Sequence, residues 1–379
     1  MQNWQASLSN SEKVGAILMD LSKAFDCLPH DLLIAKLAAY GLGYRSLRFL
    51  WSYLTNRKMR VRVGSALSEW LNILLGVPQG SMLGPILFNI FINDLFLLNL
   101  ESQICNFADD NTLYSCDISL DALIQKLHKD SASVVKWFRY NEMVVNPDKF
   151  QIMFLGCNDL KVSLDIDTFN ITSTDTVKLL GITLDNKLNF NSHIEGICKK
   201  ANQKISALFR IRKYLDREKA KLLSNSFILS HLRYCSLIWM FCSKLSARKI
   251  ASTQRRAIRA IEIDFDTPSE LLLLKYDFET IHITNLRMLL IEVYKSLHRL
   301  NPEFMWELFQ PKHINVNLRC GKPLTLPKSS VCTTNSLVFR AILAWNNLPS
   351  FLKEAPSLAK FKSCITKERV FYCQCKGCI

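Results

Sequence analysis

Glycine and proline are scarce in this chain, 12 and 11 of 379 residues, and no low-complexity run interrupts it. That scarcity excludes collagen-like and flexible-linker classes. No secretory leader is expected either, because Trp4 and the polar residues 7–13 offer no hydrophobic region of the kind such a signal needs. Long hydrophobic runs are equally missing. Residues 84–100 are interrupted by Asn89, Asn93 and Asp94, and residues 227–241 contain His231 and Arg233, so no membrane span is expected. The 13 cysteines are scattered and odd in number. They read as reduced thiols of an intracellular protein, nuclear or cytoplasmic, rather than as a disulfide framework. Near the end, Cys373, Cys375 and Cys378 have a metal-like spacing, with no His or fourth Cys at ordinary zinc distance.

What is present is an ordinary globular composition, 49% apolar and 21% charged, long enough for two or three domains and a sizeable core. The charge is less ordinary. Against 48 Lys and Arg stand 33 Asp and Glu, a net +15. Residues 1–190 are close to neutral at −2, residues 194–262 carry +12, and residues 263–379 carry +5. A near-neutral body with one basic flank suits a protein that keeps carboxylates for chemistry and grips phosphates elsewhere.

The apolar pattern predicts a strand buried on both faces at 14–19, ending in Asp20. Helices are expected at 29–40 and 44–54, then a hairpin from 58–63 and 70–75 turning near Gly64 and Ser65. A Gly/Pro loop at 76–84 opens a helix running to about 98. Short strands follow at 103–107 and 111–116, a helix at 120–140, and strands at 150–155 and 177–184. Three basic amphipathic helices are expected at about 192–213, 216–242 and 245–262, then a linker at 264–270 and tail helices at 286–300 and 336–345. No internal repeat is visible.

Acidic residues at strand ends are the most informative feature. Asp20 closes an apolar strand, and Asp109 and Asp110 sit at a hairpin tip. Adjacent carboxylates repel each other and gain nothing from packing, so sharing divalent cations is their natural use. With Asp20 beside them, they would form a cluster able to hold two Mg²⁺ for phosphoryl transfer.

These residues carry a resemblance. Asp20-Leu21-Ser22-Lys23-Ala24-Phe25-Asp26 resembles the first catalytic motif of the reverse-transcriptase domain of non-LTR, LINE-like retrotransposons. Gly76-Val77-Pro78-Gln79-Gly80-Ser81 resembles its nucleotide-pocket loop, and Phe107-Ala108-Asp109-Asp110 its Asp-Asp box. Asn146 and Lys149 match its Asn-x-x-Lys element, and Leu179-Leu180-Gly181-Ile182 its primer-grip strand. The five occur in the family's order over about residues 14–262, with a looser match at Trp345-Asn346-Asn347-Leu348-Pro349.

The resemblance implies an α+β fold: a polymerase palm at 1–190, a small antiparallel sheet backed by helices, then a helical thumb at 191–263 and a helical tail at 264–379. It implies RNA-directed DNA polymerisation on an RNA template and a DNA primer, with dNTPs and two Mg²⁺. Asp20 and Asp109 would be the principal ligands and Asp110 a weaker one. Phe25 would be the gate against a 2′-hydroxyl, while Gln79 and Gly80 would line the nascent base pair, and Lys149 would protonate the leaving pyrophosphate. The family has a small hydroxyl residue where this chain has Phe150. Lys199, Lys200, Lys204, Arg210, Arg212, Lys213, Arg255, Arg256 and Arg259 would track the backbone of the nucleic acid. Asp26 is left as structural. Only 19 residues precede Asp20, so an upstream fingers subdomain and an endonuclease are expected to be missing, or supplied by a partner chain, with the basic hairpin from Arg57 to Arg62 as the one finger-like element. Two alternatives stay open: a catalytically inactive remnant that only binds nucleic acid, and a maturase-like splicing cofactor on the same palm.

Overall fold

A computed structural model describes residues 2–157, 161–269, 271–310, 323–327 and 336–367. The chain mixes helices with small sheets and divides into two compact units, residues 10–181 and residues 1–9 with 182–379.

In the first unit the strands are β1 (Lys13–Met19), β2 (Arg57–Met59), β3 (Arg62–Val63), β4 (Ala66–Leu67), β5 (Leu71–Ile73), β6 (Gln103–Phe107), β7 (Asp110–Asp117), β8 (Gln151–Leu155), β9 (Ser163–Ile166), β10 (Phe169–Thr172) and β11 (Thr176–Leu179). Four of them form one antiparallel sheet in the order β6–β7–β1–β8. β1 lies inside because its run from Val14 to Met19 is apolar on both faces, and all six residues are buried. Gly15 lets the long helix Leu120–Tyr140 come close, since a Cβ there would stand 2.5 Å from Leu127 Cδ1. That helix begins where the Ser119 hydroxyl accepts the N–H of Ala122, and it buries Leu123, Leu127, Val134, Val135 and Phe138. Each such side chain withdrawn from water contributes about 1.5–3 kcal/mol. The helices His30–Ala39 and Leu83–Ile92 add Leu33, Leu37, Leu87, Phe88 and Phe91 to the same core.

The expected hairpin folds in two segments, β2 with β5 and β3 with β4, and turns at Gly64 and Ser65. Two strands were not anticipated, the short pair β9–β10 around Asp167, whose φ is +55°. The expected strand at 177–184 is not continuous. β11 ends at Leu179, and Leu180 and Gly181 both take positive φ, +46° and +81°.

The second unit holds an unanticipated helix, Gln2–Ser9, a strand, β12 (Ile182–Asp185), and two long helices, Asn191–Ile211 and Lys244–Glu262, which pack together. Both helices bury an apolar stripe: Ile194, Ile197, Ala201, Ile205 and Leu208 on the first, and Ile250, Ala257, Ile258 and Ile261 on the second. The expected helix at 216–242 is broken. Arg217–Leu223 passes through a π turn, Ser224–Leu229, into Ser230–Arg233. The chain then extends at Tyr234, turns left-handed at Cys235 (φ +46°) and resumes at Ser236–Trp239. The Trp239 indole N–H donates to the Tyr234 carbonyl at the break, at 3.3 Å.

The expected linker at 264–270 begins in a cluster of hydrogen bonds, and residue 270 lies outside the described residues. The Asp264 carboxylate accepts from the Thr267 N–H and hydroxyl, the Lys275 ammonium and the Tyr276 hydroxyl, which hold it far below the usual carboxylate range. The tail helices Ile281–Leu297, Leu337–Asn346 and Leu358–Lys367 enclose Leu286, Leu290, Val293, Tyr294, Ile342, Trp345 and Phe361. Asn346 binds the backbone of Leu324 through both its amide atoms, and Trp345 and Leu348 are buried, so this motif serves packing. The triad Cys373, Cys375 and Cys378 lies outside the described residues. Among the described residues no helix is long and apolar enough to cross a membrane.

Candidate active site

The tip of the β6–β7 hairpin is set by pairing. Phe107 faces Asp110, leaving Ala108 and Asp109 as a two-residue turn. Such turns need a residue at positive φ, and Ala108 supplies it at +54°, a costly choice for a residue with a Cβ. Two asparagines hold the turn in place. The Asn106 amide donates to the Ala108 carbonyl at 2.6 Å and to Asn111 Oδ1 at 2.9 Å, and the Asn111 amide donates to the Asp109 carbonyl at 3.0 Å. Neither was singled out in the sequence. The available signal was an Asn on each side of an Asp-Asp tip, since an amide is the side chain that reaches back to turn carbonyls.

β1 and β7 pair in a register that sets Met19 opposite Asn111, so Asp20, just past the end of β1, comes level with Asp110. Both line one cleft of about 480 Å³, together with Thr112, Lys149, Gln151 and the turn Leu179, Leu180, Gly181. Asp109 does not line it, yet its charge acts on Asp110. Burial raises the Asp110 pKa above the ordinary carboxylate value, the charges of Asp109 and Asp20 raise it further, and Lys149 offsets part of this. The Lys149 ammonium stands 2.8 Å from Asp20 Oδ2, and that bond, then the charges of Asp20, Asp109 and Asp110, hold its pKa above the usual lysine value. Three carboxylates therefore act on the Lys149 ammonium, and the cleft lining sets Asp20, Asp110 and Asp148 against Lys149 and Lys178. The convergence is electrostatic and not a finished cage: among the described residues no three His, Cys, Asp or Glu side chains are grouped closely enough to hold a metal ion.

Lys149 reaches Asp20 because the chain before it is bound to the extension of β1. Leu21 bridges Val145, the Ser22 N–H donates to the Val144 carbonyl at 2.9 Å, and a 3₁₀ turn at Pro147–Lys149 follows. Phe150 has its own explanation: it is buried edge-on against Phe169 of the unanticipated strand β10, ring centroids 5.5 Å apart.

The first two motifs are bound to each other. The Val77 N–H donates to the Phe25 carbonyl at 2.9 Å, the Gly76 N–H to the Leu28 carbonyl at 2.7 Å, and His30 Nε2 is 2.7 Å from the Gly76 carbonyl. Gly76 has φ +82°, and a Cβ on it would stand 2.6 Å from the Asp26 backbone, so no other residue fits. The Gln79 amide donates to Asp26 Oδ1 at 2.7 Å, so Asp26 braces the loop at 76–81. Gly80 is exposed at φ +77° with open space around it. Phe25 is half-buried and stacks on Phe88, ring centroids 4.4 Å apart.

In the second unit the nine cations fall into two sets. Lys199, Lys200, Lys204, Arg210 and Lys213 are exposed, and Arg255 is half-buried. The other three bind the chain itself. Arg212 donates to the carbonyls of Ile261 and Leu215, Arg256 to Asn202 Oδ1 and Ser206 Oγ, and Arg259 to the carbonyls of Asp264 and Thr267.

Residues 4–184 match the family described as reverse transcriptase (RNA-dependent DNA polymerase). The probable RNA-directed DNA polymerase from transposon BS of Drosophila melanogaster is 27% identical over 274 residues, which cover 67% of this chain and 30% of that one. The RNA-directed DNA polymerase from mobile element jockey of Drosophila funebris is 26% identical over 270 residues, covering 67% and 29%. The chain thus spans less than a third of the length of these relatives. Among solved structures, apo telomerase from Candida tropicalis aligns with a TM-score of 0.38 at 13% identity, over 75% of this chain and 48% of that one.

Proposed function

We infer that this chain, whose residues 4–184 carry a reverse-transcriptase domain of the non-LTR retrotransposon kind, is an RNA-directed DNA polymerase that joins a dNTP to a primer 3′-hydroxyl on an RNA template. One observation supports this above the others: Asp20 and Asp110, ninety residues apart, line one cleft with Lys149 and the 179–181 turn. We assign residues 1–190 to a palm, 191–263 to a thumb and 264–379 to a tail.

The acidic lining fits a divalent cation such as Mg²⁺ with Asp20 and Asp110 as ligands; the principal role expected of Asp109 passes here to Asp110, which lines the cleft, while Asp109 adds its charge at the tip. When bound, a pair of such ions lowers the pKa of the primer hydroxyl and neutralises the triphosphate. The rest falls to this chain's own groups. Lys149 keeps its proton on Nζ and gives it to the departing pyrophosphate oxygen. Phe25, fixed by Phe88 from one side and by its own carbonyl's bond to Val77, presents a rigid ring under the sugar and disfavours a 2′-hydroxyl. Gln79 and Gly80 border the nascent base pair, with the Gln79 amide aimed by Asp26. Lys199, Lys200, Lys204, Arg210, Lys213 and Arg255 hold backbone phosphates independently of sequence.

Primer extension by the purified chain on an RNA template, with dNTPs and Mg²⁺, tests this reading. Mg²⁺-dependent products that disappear with Asp20→Asn and with Asp110→Asn support it. Retained nucleic-acid binding with no product would leave the binding-only alternative.

A further inference from the structure

We propose that Gln151 is a positioning residue for the primer end, its side-chain oxygen fixing the strand that leads into the Leu179-Leu180-Gly181 turn to the sheet that carries Asp20. This rests on the polymerase reading above. The four-stranded sheet ends at β8, and β11 is not one of its members. β11 must still be held in place, because the turn that follows it lines the cleft with Asp20 and Asp110. To the four-stranded sheet it is joined by single contacts rather than by a ladder. Val177 buries its side chain, the Thr174 N–H donates to the Ile152 carbonyl at 2.8 Å, and the Lys178 N–H donates to Gln151 Oε1 at 2.8 Å.

Gln151 stands where three parts of the site meet. It pairs with Leu18 across the β1–β8 ladder, two residues before Asp20. It follows Lys149 by two residues along the chain and lines the same cleft. Its amide oxygen does for Lys178 what a backbone carbonyl of a further strand would do, at the one edge position next to the carboxylates. Replacing that oxygen by a methyl leaves the Lys178 N–H without its acceptor and releases the end of β11. Nucleotidyl transfer needs the primer hydroxyl placed to within a fraction of an ångström, so a strand free to shift is felt in primer handling before it is felt in folding.

The test compares Gln151→Met, which matches the shape but lacks the acceptor, with Gln151→Glu, which keeps an oxygen in place. The expected result for Gln151→Met is a primer KM raised about tenfold, as loss of one such bond implies, with dNTP KM and melting temperature unchanged. Hydrogen exchange at the Lys178 amide should quicken in the same variant, and Gln151→Glu should restore both quantities. An unchanged primer KM in an active protein overturns the proposal. So does a parallel rise of both KM values with a lower melting temperature, which would mark a merely structural residue. A wild-type chain that extends no primer would sink the polymerase reading alone. In that event fluorescence anisotropy with a recessed primer–template duplex decides: binding about tenfold weaker in Gln151→Met supports the positioning role, and equal Kd values overturn it.

Discussion

Asp20 and Asp110 in one unit and Arg212 and Arg259 in the other are charged side chains put to opposite ends. Burial and the neighbouring carboxylates make Asp110 resist ionisation, and the same carboxylates make Lys149 hold its proton tightly. The arginines are fully employed, each donating to two backbone carbonyls of its own unit. Charge in the sheet unit is left unbalanced at a cleft, whereas part of the charge in the helical unit closes helix ends and loops. A cation's sign therefore says less about its use than whether the fold already supplies its partners. By that criterion Arg212, Arg256 and Arg259 are braces, and the phosphate contacts proposed above fall first to exposed cations such as Lys199, Lys200, Lys204 and Arg210.

The sharpest break of this contrast is at the carboxylates. Asp20→Asn should lower primer extension by at least about a thousandfold, roughly 4 kcal/mol of transition-state stabilisation, with melting unchanged or raised. A stability effect of comparable weight is expected where nothing is charged. Phe150→Thr, which restores the family's small hydroxyl residue, should cost about 3 kcal/mol in denaturant unfolding, because the pocket against Phe169 stays behind. Arg212→Ala should cost about 2 kcal/mol by the same measurement, since two carbonyls lose a charged donor. Lys204→Ala should leave the melting temperature alone and reduce the slope of log Kd against log salt by about 0.7–0.9. If Arg212→Ala changed only the salt slope, or Lys204→Ala only the melting temperature, the division into braces and phosphate contacts would be reversed.

The smallest effect concerns pH. The fold raises the Asp110 pKa, so this group favours the folded state only while protonated, and that contribution is lost as pH rises through the raised value. Asp110→Asn is neutral at every pH. In a chelator it should melt above the wild type at neutral pH, with the gap closing as pH falls through the carboxylate range. An unchanged gap would mean that Asp110 is not strained by its neighbours.

Much of the sheet unit was legible because its signals are long and unmixed. Six apolar residues ending in Asp20 fit a buried strand, and 21 residues with helical spacing gave the helix Leu120–Tyr140 to the residue. The carboxylate pairing was legible from motif order. Its supports were not. Asn106 and Asn111 act through turn carbonyls, Gln151 through one backbone N–H, and Asp26 through the Gln79 amide, and such single bonds between distant residues leave no periodic trace. The pair β9–β10 escaped because four-residue strands offer only two alternations each. In the helical unit the apolar spacing of 216–242 ran on through a π turn and a left-handed Cys235, a break made by backbone rather than by Gly or Pro. The basic helices read correctly as basic, but which arginines would find carbonyl partners depended on where helix ends met, and the order of residues does not give that.

Titration of Mn²⁺ into the purified chain and into its Asp20→Asn and Asp110→Asn variants, followed by paramagnetic resonance of the free ion, tests the shared carboxylate site without asking for turnover. The account predicts saturable binding in the wild type and a loss of at least about tenfold in affinity in each variant. Equal affinity in all three proteins would contradict it.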